Sequence, residues 1–138
     1  AMAAQQLASD IRRAQNYSLG LKKDMNGNTP PGGWGFFVAR NANQYFIFAD
    51  GGNHVYNNNE ENFTINLPAN ISVANIIIGA TSQNRISITY VPPDPTIIIC
   101  RNPGGCPKPG AEEVVITLSD GTSQKLLVIN QNGLIDIN

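Results

Sequence analysis

The hydrophobic period of this chain changes once, and that change decides the fold class. From about Ala4 to Lys23, apolar residues recur at three- and four-residue steps: Leu7, Ile11, Ala14, Tyr17 (or Ser18) and Leu21. Gln5, Gln6, Asp10, Arg13 and Asn16 occupy the remaining positions. This is the signature of one amphipathic helix, which at 1.5 Å per residue forms a rod of about 30 Å. Gly20 weakens its end, and Asn26-Gly27 followed by Pro30-Pro31 stops it. Burial of Leu7, Ile11 and Leu21 is worth about 1.5–3 kcal/mol each, so the stripe must pack on the remainder of the chain.

From Gly33 onward the chain reads as strand and turn. Gly33 to Val38 and Gln44 to Phe48 are aromatic runs joined by Asn41-Ala42-Asn43, the pattern of a hairpin. Phe63 to Leu67, Ile71 to Ile78 and Arg85 to Val91 read as further strands, and the last alternates polar and apolar residues cleanly. Pro92-Pro93-Asp94-Pro95 breaks the chain before Thr96 to Cys100 resumes extended structure. Val114 to Leu118, Lys125 to Ile129 and Leu134 to Ile137 are linked by Asp120-Gly121 and Asn132-Gly133, which predicts a three-stranded meander. The expectation is a single α+β domain over 1–138: a helix at 4–24 against antiparallel sheet, and a β-rich head at 33–138.

Composition narrows the function classes. Nine Lys and Arg balance ten Asp and Glu, so no global field steers the chain onto nucleic acid or an anionic membrane. No run of 18 apolar residues is present. Ala1-Met2 reads as a cloning remnant, with the expectation that a natural segment was cut away upstream. Cys100 and Cys106 bracket a turn-forming segment, Arg101 to Gly105. A disulfide across it fits the reach of two such cysteines and implies an extracytoplasmic compartment. Two free thiols are the alternative, and a metal site lacks ligands.

Catalytic chemistry finds little support. His54 is the single histidine, and no nucleophile elbow accompanies it. Glu60-Glu61 and Glu112-Glu113 split across two faces of any strand. The glycine pairs lack the Lys-Ser/Thr or the helix start of a phosphate cradle. Asp50, Asn53 and Glu60 belong to an oxygen-rich loop of the kind calcium accepts, although its spacing departs from the EF-hand and a structural turn is the plainer reading. The chain is therefore expected to be non-enzymatic, with no cofactor and no metal. The sequons at Asn62 and Asn70 read as chance matches. The aromatics from Trp34 to Phe48 have only Arg40 among them and read as core.

Several local patterns, in their order, resemble the minor pseudopilins of the H type and the FimT-like pilins. Leu7 to Ser18 is similar to the segment where that family's long N-terminal helix meets its head. Gly33-Trp34-Gly35-Phe36 resembles the first strand. Tyr45 to Asp50, with Asn53, Tyr56 and Glu60-Glu61, resembles a block of phenylalanine, aspartate, Asn-Gly loop and acid. Val115 to Leu118 and Lys125 to Ile137 resemble the closing hairpins. The resemblance implies a missing apolar anchor with a prepilin cleavage site and N-terminal methylation. It implies a head on the extracytoplasmic side of the cytoplasmic membrane. The partners it implies are other pilin or pseudopilin subunits of a type II secretion pseudopilus or type IV pilus. The helix carrying Leu7, Ile11, Ala14 and Leu21 is expected to do the packing, with that stripe facing the head and the other faces left for partner subunits. The family's DNA-binding role is not carried over, because the C-terminal strands offer Lys125 and little other basic charge. A surface adhesin or carbohydrate-binding β domain is the alternative.

Overall fold

In the computed structural model, residues 2–57, 60, 62–79, 81–91, 96–102, 113–130 and 135–138 are described. The architecture is α+β: one N-terminal helix contacts two five-stranded antiparallel sheets. The helix, α1, spans Met2–Leu19. The strands are β1 (Trp34–Ala39), β2 (Gln44–Ala49), β3 (Asn62–Asn66), β4 (Ser72–Ile78), β5 (Thr81–Ser82), β6 (Arg85–Val91), β7 (Thr96–Asn102), β8 (Val114–Ser119), β9 (Gln124–Ile129) and β10 (Ile135–Ile137). The first sheet runs β3-β2-β1-β6-β7 and the second β10-β9-β8-β4-β5.

Along α1, Ala3, Ala4, Leu7, Ala8, Asp10, Ile11, Ala14 and Ser18 are buried. At 3.6 residues per turn they fill an arc of roughly 160°. Such a wide arc reflects contact with β1, β2 and β6 of one sheet and β9 and β10 of the other. Asp10 is tolerated inside this arc because the Tyr45 hydroxyl donates to its Oδ2 at 2.5 Å and the Gln6 amide donates at 3.0 Å. Burial, followed by that bond to Asp10, pushes the Tyr45 phenol far above its ordinary value.

The helix ends earlier than the stripe predicts. Lys22 N–H donates to Tyr17 C=O (2.9 Å) and Leu21 N–H to Ser18 C=O (3.1 Å), the paired bonds of a Schellman cap. Leu21 takes its left-handed position at φ 53° and is 53% exposed. It therefore lies outside the apolar stripe that the spacing assigns it to. The stripe predicts helix wherever the period persists, but a cap is set by backbone bonds that the period does not encode.

Ser18 then fastens the helix to the sheet. Its buried hydroxyl accepts from Trp34 N–H (2.7 Å) and donates to Trp34 C=O (3.0 Å). The turn before β1 needs Gly33, at φ 79°, where a Cβ would lie 2.2 Å from the Tyr90 carbonyl oxygen.

Register places Trp34, Phe36 and Val38 opposite Tyr90, Ile88 and Ile86 on β6 and opposite Ala49, Ile47 and Tyr45 on β2. These residues share the inner face and join the core with α1. The predicted β1–β2 hairpin and the antiparallel pairing of β8, β9 and β10 are present. The turns at 92–95 and 131–134 lie outside the described residues. In β4 a register shift between Val73 and Asn75 interrupts the alternation, so burial passes from Val73 to Ile76 and Ile78.

Candidate functional site

Two surfaces bear on function. The first is the exposed arc of α1. Leu7, Ile11 and Ala14 are wholly buried in the chain's own core, so a partner approaching the helix meets Gln5, Ser9, Arg12 and Asn16 instead. Three of the four stripe residues are thus used internally, Leu21 is exposed, and the free face carries polar residues up to the exposed Leu19 at its end.

The second is the segment from Asp50 to Asn57, with Glu60, which lies over the outer face of the first sheet. On that face Phe37, Phe46 and Phe48 stand together, and Tyr56 packs against all three at ring centroid distances of 5.1, 5.1 and 5.4 Å. Tyr56 N–H donates to Ser87 Oγ on β6 (3.1 Å). His54, held at φ 65°, places Nδ1 3.3 Å from Thr89 Oγ1 and 3.4 Å from Asp50 Oδ2. This is no catalytic relay. Both contacts converge on one ring nitrogen, whereas a triad needs its acid and its nucleophile on opposite nitrogens. Thr89 is also wholly buried.

Asp50 organises the turn. Its side chain is fully buried, and Oδ2 accepts N–H bonds from Gly52 (3.2 Å) and His54 (2.9 Å). The chain opposite must carry no side chain here, since a Cβ on Gly32 would fall 1.6 Å from Oδ2. Glu60 closes the loop: its carboxylate accepts from Gly51 N–H (2.5 Å) and from Asn57 N–H (2.7 Å). Asn53 caps locally, accepting from Val55 N–H (3.1 Å) and donating to Asn57 (2.9 Å). Burial raises Glu60 above the ordinary glutamate range, the two N–H bonds pull it down, and the neighbouring Asp50 charge pushes it up again.

The candidate calcium residues Asp50, Asn53 and Glu60 are therefore in one loop, but Asp50 Oδ2, Asn53 Oδ1 and both Glu60 carboxylate oxygens take backbone N–H donors. Among the described residues, no group of three or more His, Cys, Asp or Glu could hold a metal ion. Asp50 and Glu60 also line an open cleft of about 420 Å³, bounded across from them by Asp24, Met25 and Pro30-Pro31.

Cys100 lies on the outer face of β7, opposite Ser87, and is buried. Cys106 lies outside the described residues, and so does any bond between the two. The sequence reading missed Thr89, Ser87 and the part played by His54. The contacts between His54 and Thr89 and between Tyr56 and Ser87 span 35 and 31 residues, beyond the reach of any local pattern. Among the described residues no helix is long and apolar enough to cross a membrane. Comparison with models of known families, with curated proteins and with solved structures returns no match.

Proposed function

We propose that the chain is the head of a pilin-like assembly subunit, of the minor pseudopilin or FimT type, that acts by packing against other subunits at the cell envelope. The observation that carries this reading is the form of α1. It opens the fold, it is buried over roughly 160° against both sheets, and it leaves Gln5, Ser9, Arg12 and Asn16 exposed on its other face. A helix of this kind can continue beyond the head as a shaft while its C-terminal half stays locked by Ser18 and Trp34. An anchor upstream, removal of a leader by a prepilin peptidase and an extracytoplasmic location belong to the same proposal. So does a disulfide between Cys100 and Cys106.

The natural sequence upstream of Ala3 tests it. The expected result is a Gly, then a methylation-type start with Glu at the fifth mature position and about 20 apolar residues. An ordinary cleavable secretory signal overturns the reading. In cells, cysteines placed at Arg12 and Asn16 should cross-link to neighbouring subunits, whereas one at Leu7 should not.

A second reading, a surface carbohydrate-binding domain, draws on the half-buried aromatics of the outer face, where Phe37 and Phe46 stack at 5.8 Å. Glycan binding lost in Phe46→Ala would favour it over the first.

A further inference from the structure

We propose that the free face of α1 binds the outer face of the second sheet of another copy of this chain, a basic strip meeting an apolar stripe edged by acids. The contact belongs to the assembly proposed above and rests on that reading. On α1, Gln5, Ser9, Arg12, Asn16 and Leu19 follow at three- and four-residue steps and line one exposed strip. Beyond the cap, Leu21 and Lys23 are exposed as well. Arg13 is engaged by Asp10 (3.6 Å) and Lys22 by the Tyr17 ring (5.0 Å). Arg12 and Lys23 have no ion-pair partner among the described residues. The acid next in sequence, Asp24, has Oδ1 occupied by the N–H groups of Asn26 and Asn28. The charge left available on this face is therefore positive.

The second sheet carries the complement. Register sets Val128, Val115 and Ile77 side by side across β9, β8 and β4, on the face turned from the core. All three are half-buried, whereas their core-facing neighbours Leu127, Ile116 and Ile76 are wholly buried. Leu126 shares the outer face and is exposed. An outer sheet face left to water alternates to polar residues, and this one does not. Asp136 stands beside Val128 on β10, and Glu113 precedes Val115 on the same face. Both are exposed and have no ion-pair partner among the described residues. Lys125 alternates to the opposite side.

The chain cannot join these faces within itself, because the buried arc of α1 packs on its own sheets and turns the strip away from them. An anionic membrane would suit Arg12 and Lys23 but would leave the acid-edged apolar stripe unanswered. A second copy answers both. The two faces are different surfaces, so each copy can use both and the contact can repeat. Exposed ion pairs are individually weak. Copies held on a common shaft meet at roughly millimolar effective concentration, where a weak contact suffices.

Sedimentation velocity and amide shift mapping of this chain, up to about 1 mM, test the proposal. Mass should grow with concentration and fall back at high salt. Shifts should move at Arg12, Asn16 and Leu19 and at Leu126 and Val128. Arg12→Glu with Lys23→Glu should weaken association about tenfold or more, and so should Glu113→Lys with Asp136→Lys. Mixed together, the two variants should associate again, because each supplies the charge the other lacks. All four positions are exposed, so thermal midpoints should hold. The proposal is overturned if the wild type stays monomeric at about 1 mM, including where vesicles of phosphatidylglycerol and phosphatidylcholine capture it. It is equally overturned if the mixture stays monomeric while the wild type associates. The assembly reading fails separately: a secretory signal upstream would remove it and leave an observed contact standing.

Discussion

At Leu21 the chain adopts a left-handed conformation, φ 53°, that costs an L-residue about 1–2 kcal/mol. The cap leaves no choice, because Leu21 and Lys22 must turn back to bond Ser18 and Tyr17. Lys22 adds a contact of its own, with Nζ 5.0 Å from the Tyr17 ring centroid. The Leu21 side chain contributes little in return, being half exposed. Glycine at this position removes the strain and loses some unfolded-state restriction. Leu21→Gly should therefore stabilise by about 0.5–1 kcal/mol, seen as a higher urea midpoint at unchanged slope. Leu21→Asn should move the same way by less. A drop in both variants would mean that Leu21 packs in solution more than its exposure implies. Gly20 sits one residue too early to take the left-handed place, which is why the glycine signal misplaces the helix end.

Elements are legible where a period or a turn dipeptide marks them, and illegible where pairing is long-range. The Leu7–Ile11–Ala14 stripe, the alternation of Arg85 to Val91 and the Asp120-Gly121 turn each carry their own pattern. Nothing local says that β3 edges one sheet while β4, six residues on, joins the other. Apolar alternation selects a buried face but does not name the neighbour. The candidate site divides in the same way. Asp50 and Glu60 stand out as a loop rich in oxygen, but their inward turn onto backbone N–H groups depends on Gly32 and β6. Ser18 shows how one polar residue inside an apolar stripe can set an element's place. It bonds the end of the helix to β1, and Ser18→Ala would leave the Trp34 N–H without its partner. The expected cost is about 1–3 kcal/mol, against a change within about 0.5 kcal/mol for the exposed Ser9→Ala. Equal effects in chemical denaturation would show that the Ser18 bonds do not hold the helix to the head.

Across the whole molecule, two acids in loops of different sheets should give stability opposing slopes with pH. Asp120, in the β8–β9 turn, accepts from Thr122 N–H (2.9 Å) and Ser123 N–H (2.8 Å), and both hydroxyls donate to it as well. These bonds, led by the Ser123 N–H, hold its carboxyl far below the ordinary 3.8. A depressed acid contributes fully above its unfolded value and is lost as pH falls toward the folded one. Glu60 behaves in the opposite way, contributing fully below its ordinary 4.5 and fading as pH rises through its raised value. Thermal midpoints measured against pH should therefore decline on the acid side with an Asp120 component and toward neutrality with a Glu60 component. Asp120→Asn should flatten the first and Glu60→Gln the second. Asp120 is fully exposed, so its component should be small and should shrink in high salt, whereas that of the partly buried Glu60 should persist. They lie in separate segments, Asp120 between β8 and β9 and Glu60 before β3, so their effects should add in the double variant. A departure from additivity would mean that the loop over the first sheet and the hairpin of the second open together, which would make the core one cooperative unit down to its surface turns.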